Sequence, residues 1–451
     1  MRTVFQRKDI TNVPDAAKYQ NSSQMICARI VNAKKAMIKG KIMKNKIFIL
    51  LPLFFLMVII LSACDSYKNY DKYGEYVDAK QLKHFDVPAG ETEIGDYEFL
   101  NCSTLESVTI PNSVTKIGEN AFVNCYNLKT IVIPNSVTVI EREAFSNCRN
   151  LTNVIIPDSV TSIGFEAFAD CKNLKSITLG KGIIFIGEDA FDGIERINVP
   201  DLKTYCQIDY GYDKIDNSFG YLSGRIYIDG VSLDSLSTLT IPEGVERIGI
   251  RAFGRLMKLK QVNLPNSLRE IGCSAFCGSS VETITFPSNL RLIGQSAFRA
   301  TNLTRVVIPD SVTQIGQCAF MECDIADLTL GKGLTNINFN TFASNHIGVL
   351  IIPDSIKIIG TSAFSGGGVS ITVLPTSVTS VGAGASLGDI YYLGTEEEYR
   401  KLSLNSKGLG WNEVYIYMKN QPTKYGDYWH YDSKGNPVRW YDDNWNIIEA
   451  N

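Results

Sequence analysis

Eleven cysteines and three histidines are the residues of this 451-residue chain with the greatest chemical reach. Cys102, Cys125, Cys148 and Cys171 recur every 23 residues, and Cys323 holds the same place three residues after a phenylalanine. If successive copies lie side by side, their sulfurs come within disulfide reach by Cα separation alone. The competing reading is packing, because free cysteine is a good small core residue. Buried thiols are the favoured expectation for a column at a packed turn, with disulfides the alternative in an oxidising compartment. A zinc site is not expected. Cys318 with Cys323, and Cys273 with Cys277, lack a complementary ligand pair. His84, His346 and His430 are far apart in sequence. The acidic side chains sit mostly in turns, as at Asp158, Asp310 and Asp354, where Asx geometry accounts for them. No catalytic residue, metal or cofactor is expected, so the chain is not read as an enzyme. A net charge of -3 gives no reason to expect nucleic acid as a partner.

One cysteine stands in a different context. A basic run, Met43-Lys44-Asn45-Lys46, precedes an apolar stretch from Ile47 to Leu61, and "LSAC" follows. A basic region, an apolar region and small residues before a break read as a secretion signal. The stretch is short for a bilayer-spanning helix, which needs roughly 20 residues; an uncleaved membrane helix is the alternative. Leu61, Ser62, Ala63 and Cys64 resemble the lipobox of bacterial lipoproteins. That resemblance implies cleavage before Cys64, a diacylglycerol on its sulfur and a second acyl group on its amino end. Two chains anchor a protein far better than one. Asp65 resembles an inner-membrane retention signal of double-membrane bacteria. Residues 1–42 are unusual before a signal, and Met37 or Met43 is the expected start, with a genuine cytoplasmic extension the alternative. The polar, tyrosine-rich residues 64–91 read as a spacer after the lipidated cysteine.

The elements that would position the cysteine column are repeats. Ala-Phe recurs at Phe122, Phe145, Phe168 and Phe191, then at Phe253, Phe276, Phe298, Phe320 and Phe364, with Thr341-Phe342 filling the missing beat. Each unit reads L-x-x-V-x-I-P, then D-S-V-T-x-I-G, then x-x-A-F-x-x-C. Val154 and Ile156 are two apart and face one side of a strand. Pro157 ends that strand. A unit this short cannot bury its own apolar side, but stacked units can. About twelve turns of 22–23 residues are expected, giving a mainly β solenoid with one insertion and a C-terminal cap.

"IPNSVTKIGENAFVNCYNLKTIVIP", from Ile110 to Pro134, resembles the BspA-like, or Treponema pallidum type, leucine-rich repeat. The resemblance covers roughly residues 92–393. It implies a leucine-rich-repeat solenoid of bacterial surface proteins, some of which are adhesins. It carries scaffold positions only, namely Leu105, Val108, Ile110, Ile117, Phe122 and their copies.

Two solenoid parts are expected, over 92–199 and 239–393, separated by an insertion over 200–238. Asp229-Gly230 in "RIYIDGVSL" signals a hairpin, and Tyr205-Cys206 and Tyr210 to Phe219 read as an aromatic loop. The insertion is either a binding projection or a structural break. Residues 394–451 read as a cap, with a helix near Glu396 to Leu402 and an aromatic tail turning at Ser433 to Asn436. The tail is read as a cover for the last turn rather than a glycan contact.

An outward strand row holds Thr109, Val132, Ile155 and Thr178, then Asn263, Thr285, Val307 and Thr329. This uncharged β-branched row is a candidate binding surface, and also what a stable sheet surface prefers. The expected protein is a monomeric, lipid-anchored binding protein outside the cytoplasm, on the surface of a bacterial cell. Its partner would be a protein or glycan on a host or neighbouring cell. The alternative is a structural envelope component without a specific ligand.

Overall fold

The computed structural model describes residues 82–211, 222–404, 414–417 and 427–440, with two short strands before them, Lys68–Tyr70 and Tyr76–Asp78. The chain forms two compact units, Met1–Leu82 and Lys83–Asn451. In the first, the two short strands pair antiparallel, with Lys68 opposite Asp78 and Tyr70 opposite Tyr76. The stretch expected as a spacer over 64–91 thus holds strands. Its last part, His84–Asp86, already pairs in parallel with Ser107–Thr109 and opens the solenoid. The short polar strand His-Phe-Asp had hidden this turn.

Each turn of the second unit has three faces. One carries strands such as Ser107–Thr109, paired in parallel with Thr130–Ile131. The next carries strands such as Lys116–Ile117, paired with Val139–Ile140. Fourteen segments stack in this second column, from Glu93–Ile94 to Ser403–Leu404. That is two more than the Ala-Phe spacing suggests, because the turns through Asp209–Tyr210 and Ser403–Leu404 lack the Ala-Phe pair.

The third face is the Ala-Phe turn. It has its own ladder: the N–H groups of Asn120, Phe122 and Asn124 donate to the carbonyls of Arg142, Ala144 and Ser146 at 2.9, 2.7 and 3.1 Å. Asn120 and Asn124 have φ of 56° and 62°. Asparagine tolerates this left-handed region better than most residues, which explains the polar residues flanking Ala-Phe. At Gly164 the turns approach so closely that a Cβ would lie 2.4 Å from the Arg142 nitrogen.

All ten predicted scaffold phenylalanines are buried. Their rings stack turn upon turn, with centroids 5.0 Å apart for Phe122–Phe145 and 5.1 Å for Phe145–Phe168. The second run continues from Phe253 to Phe364 with spacings of 5.2 to 5.6 Å.

Much of the insertion belongs to the solenoid. After Arg196–Val199, Pro200-Asp201 leads into a short helix, Leu202–Cys206, instead of the usual turn, and the Asp201 side chain caps it. Asp209–Tyr210 then pairs with Phe185–Ile186 in the second column. Tyr205 is fully buried and meets the Phe253 ring edge-on at 5.3 Å, while its hydroxyl donates to the Ala252 carbonyl. The predicted hairpin forms: Tyr227 lies opposite Ser232, and Asp229 and Gly230 take φ of 50° and 80°. Tyr205 and Tyr210 are therefore core, not loop; the remainder of the expected aromatic loop, 212–219, lies outside the described residues.

At the carboxyl end, helix Glu396–Arg400 starts with a capping box between Thr395 and Glu398. Val414–Tyr417 and Tyr428–Tyr431 extend the first column in parallel, and Pro437–Arg439 folds back antiparallel. Trp429 is fully buried and its indole N–H donates to the Tyr392 carbonyl at 3.2 Å. Burial of this ring against Tyr391 makes the tail part of the last turn's cover. Trp445 lies outside the described residues.

Candidate functional site

All eight residues of the predicted outward row are exposed, and they lie on the first strand column. Alternation along each strand dictates this: Val108 and Ile110 point inward, so Thr109 points out. Parallel pairing with a shift of one repeat then sets Ile155 beside Thr178, Asn263 beside Thr285 and Val307 beside Thr329. Val132 is 77% exposed and Ile155 61%. The row is split into two runs. Between Thr178 and Asn263 come Asn198, Tyr227 with its hairpin, and Thr240. Arg196 lies over the Tyr227 ring, 4.3 Å from its centroid. The row also runs further than the sequence pattern shows. Ile351, 22 residues after Thr329, is 51% exposed; its unit keeps the repeat spacing as Ile347-x-x-Leu350-x-Ile352-Pro353, so the interval already points to it.

Charges beside the row neutralise one another. Glu106 sits between Lys83 at 3.7 Å and Lys129 at 2.7 Å. The Lys129 ammonium holds the Glu106 carboxyl below the usual range. Lys175 pairs with Glu195 at 2.8 Å and Lys260 with Glu282 at 2.6 Å. The face therefore offers apolar and hydroxyl contacts flanked by paired charges, without a strong field to select an ionic ligand.

The cysteine column lies inside, behind the Ala-Phe turn. The nine described cysteines are all free thiols. The Sγ of Cys125, Cys148 and Cys171 donates to the carbonyls of Phe99, Phe122 and Phe145 one turn back, at 3.1, 3.2 and 3.2 Å. Burial pushes the Cys102 thiol up to about 11 and Cys171 to about 12, so neither presents a thiolate nucleophile near neutral pH. The expected packing role holds, with a hydrogen bond the sequence reading missed. On the outer side of this turn Glu166 is raised by burial and by the carboxyls of Glu143 and Asp189. Among the described residues, no group of three or more His, Cys, Asp or Glu side chains is placed to hold a metal. No described helix is long and apolar enough to cross a membrane. Leu61, Ser62, Ala63 and Cys64 lie outside the described residues.

Parallel strands in stacked turns of 22–23 residues, with a phenylalanine spine, define a leucine-rich-repeat solenoid. The chain belongs to the BspA-type leucine-rich repeat family, whose model matches residues 74–199, 231–348 and 340–385 in six copies. No curated protein matches it. Among solved structures it is similar to a leucine-rich repeat protein from Bacteroides ovatus, with 22% identity and a TM-score of 0.45, over 78% of this chain and 98% of that one. A leucine-rich cell surface protein from Faecalibacterium prausnitzii is 24% identical, with a TM-score of 0.37 over 72% of this chain and 91% of that one. The pneumococcal vaccine antigen PcpA is 20% identical, with a TM-score of 0.40, over 76% of this chain and 91% of that one.

Proposed function

We propose that this chain is a non-catalytic cell-surface binding protein, tethered by lipid on Cys64, that presents the outward strand row to a protein partner. The carrying observation is the row itself. Val132 and Ile155 stand 77% and 61% exposed in adjacent turns, Ile155 paired in parallel with Thr178 and Val132 directly after the paired residue Ile131, beside charges that are already paired. Such a surface orders little on binding, so less contact energy is lost to ordering. Membership of the repeat family supports a binding role, and the cell-surface description of the Faecalibacterium relative supports the location.

The test is capture of immobilised extracellular-matrix proteins and bacterial envelope fractions by the full chain. Replacing Val132 and Ile155 by lysine should abolish saturable capture while the melting temperature stays within a few degrees. Undiminished capture by that variant would remove the row from the mechanism. Metabolic labelling with a fatty-acid analogue tests the anchor separately: wild type should label and Cys64→Ser should not.

A further inference from the structure

The second strand column is interrupted at two places: at the insertion, between Asp209–Tyr210 and Arg247–Ile248, and again inside the regular repeat of the second block. Gln314–Ile315 pairs with Leu292–Ile293 behind it, and Asn336–Ile337 pairs with Ile358–Ile359 ahead of it, but the two segments do not pair with each other. On either side the rung is regular: the Gly316 N–H donates to the Ile293 carbonyl at 2.8 Å and the Gly360 N–H to the Ile337 carbonyl at 2.7 Å. Asn338 occupies the equivalent position between them. Its side-chain Nδ2 takes the Ile315 carbonyl at 2.6 Å in place of its backbone N–H. At Gly316 a Cβ would sit 2.3 Å from the Gln295 nitrogen, so turns at this column normally touch backbone to backbone. A side chain alone does not open the rung. Glu141 occupies the same column with its N–H still 3.0 Å from the Ile117 carbonyl. Capture of the carbonyl by the Asn338 amide is what distinguishes the open turn.

A groove of about 410 Å³ lies at this break. Its lining includes the side chains of Gln295, Gln314, Asn336 and Thr335, and none of its residues is charged. Those four side chains hydrogen-bond to no other described residue, and the Thr335 N–H, which elsewhere in the column binds the preceding turn, has no backbone partner. Phe339, next to Asn338 in sequence, is 44% exposed. The opened turn also departs from the repeat in composition, with Asn336, Asn338, Asn340, Thr341 and Asn345 in ten residues. Departures from local rules mark sites where something other than the fold is served.

We propose that the opened rung at Asn338 is a binding groove for a neutral oligosaccharide. Phosphate and carboxylate ligands would find no counter-charge in the lining. Amides and hydroxyls both donate and accept, as adjacent sugar hydroxyls require. The volume falls in the range of about 300–1,000 Å³ typical of small-ligand sites. The groove lies on the second strand column and is independent of the outward row on the first.

The test titrates cellohexaose, maltohexaose and chitohexaose into the full chain by calorimetry, with inorganic phosphate and a neutral Gly-Ser hexapeptide as comparators. At least one hexasaccharide should bind saturably, and Gln314→Ala or Asn336→Ala should weaken it by about tenfold or more, since each removes uncompensated hydrogen bonds. Asn338→Gly should close the rung, seen as slowed hydrogen exchange at Thr335 and Asn336, and abolish binding. Variants at Val132 and Ile155 should leave sugar binding unchanged. The proposal is overturned if no hexasaccharide binds, if the hexapeptide or phosphate is preferred, or if Asn338→Gly slows exchange yet keeps wild-type affinity.

Discussion

Residues 84–194 and residues 238–387 build the same three-faced turn with different economies of sequence. Both keep the phenylalanine spine, with ring centroids near 5 Å in each block. They differ three residues later. The first block uses Cys102, Cys125, Cys148 and Cys171 there, whereas the second uses Leu256, Ser279, Thr301, Cys323 and Asn345. The polar residues all donate to phenylalanine carbonyls, but at different range: serine and threonine within their own turn, cysteine one turn back, asparagine to both. Ser279 and Thr301 donate to the carbonyls of Phe276 and Phe298 at 2.7 and 2.9 Å, and Asn345 donates to those of Phe320 and Phe342 at 2.8 and 2.9 Å. Cys323 donates to the Phe298 carbonyl at 2.9 Å. The spine therefore selects shape, and the neighbouring column, Leu256 apart, selects a hydrogen-bond donor, since a buried carbonyl without partners is costly.

The sharpest way to break that comparison is to remove one ring from each block. Phe145→Ala and Phe298→Ala should each cost about 3–5 kcal/mol of unfolding free energy, because each deletes a ring stacked on both sides. Denaturant unfolding measures it. Equal losses would show one spine serving both blocks; a loss below about 1 kcal/mol in either would show a core that can collapse around the gap.

The joint between the blocks comes next. Tyr205 takes the place of the missing spine residue before Phe253, and its hydroxyl is bonded to the Ala252 carbonyl. Tyr205→Phe should cost about 1–3 kcal/mol by leaving that buried carbonyl short of a donor. Tyr205→Ala should go further and split the calorimetric transition in two, as the blocks lose their shared core and unfold separately. A single sharp transition in Tyr205→Ala would show that the second-column contacts, such as Arg247 to Asp209 at 2.9 Å, suffice to couple them.

What could be read in advance follows from this layout. Inward positions repeat because each turn's partner is its own copy, so Val108, Ile117 and Phe122 predicted the stack. Asp229-Gly230 predicted its hairpin because the turn chemistry is local. Tyr205 was missed because a helix follows Pro200-Asp201 where other units turn, and the substitution of tyrosine for phenylalanine is visible only once the rings are superposed. The donor role of the cysteines was missed because each carbonyl partner lies 26 residues back, across a turn boundary that sequence spacing does not display. The Asn338 break was missed for the same reason. The outward row was legible as exposed, since strand alternation assigns faces, but its interruption by the hairpin was not.

Exchange within the donor column sharpens the comparison at about 1 kcal/mol, the usual net value of such a bond. Cys148→Ser keeps a buried donor, either for the Phe122 carbonyl one turn back or, as Ser279 does in the second block, for the phenylalanine carbonyl of its own turn, and should be more stable than Cys148→Ala. The reverse order would reduce the column to packing. The thiols also predict a pH dependence. Burial raises Cys102 and Cys323 to about 11 and Cys171 and Cys206 to about 12 in the folded chain. The unfolded chain therefore releases these protons first, at about pH 8.5. Their stabilising contribution is complete below that pH and is lost as pH rises toward 12. Melting temperature should fall through this window in wild type, and fall less in a variant with Cys102, Cys125, Cys148 and Cys171 all replaced by serine. Parallel alkaline curves for the two chains would exclude the thiols as the cause.

The smallest effect is expected on the outward row, and its smallness is the point. Val132 and Ile155 are β-branched and exposed, Ile155 within a parallel pair and Val132 directly after one. Val132→Thr and Ile155→Thr keep the branch and should change unfolding free energy by less than about 0.5 kcal/mol each, as surface substitutions usually do. The two blocks differ in this row as well: the second carries Asn263, Thr285 and Thr329 around Val307, which is 48% exposed, and the row's next exposed apolar residue, Ile351, comes only one turn beyond Thr329. If apolar exposure in the first run serves a partner, the double threonine variant should lose capture with its stability intact, while Val307→Thr should change capture far less. If instead the double variant melts several degrees lower, Val132 and Ile155 are held there by the sheet's own packing. The first block's surface would then be as purely structural as its spine.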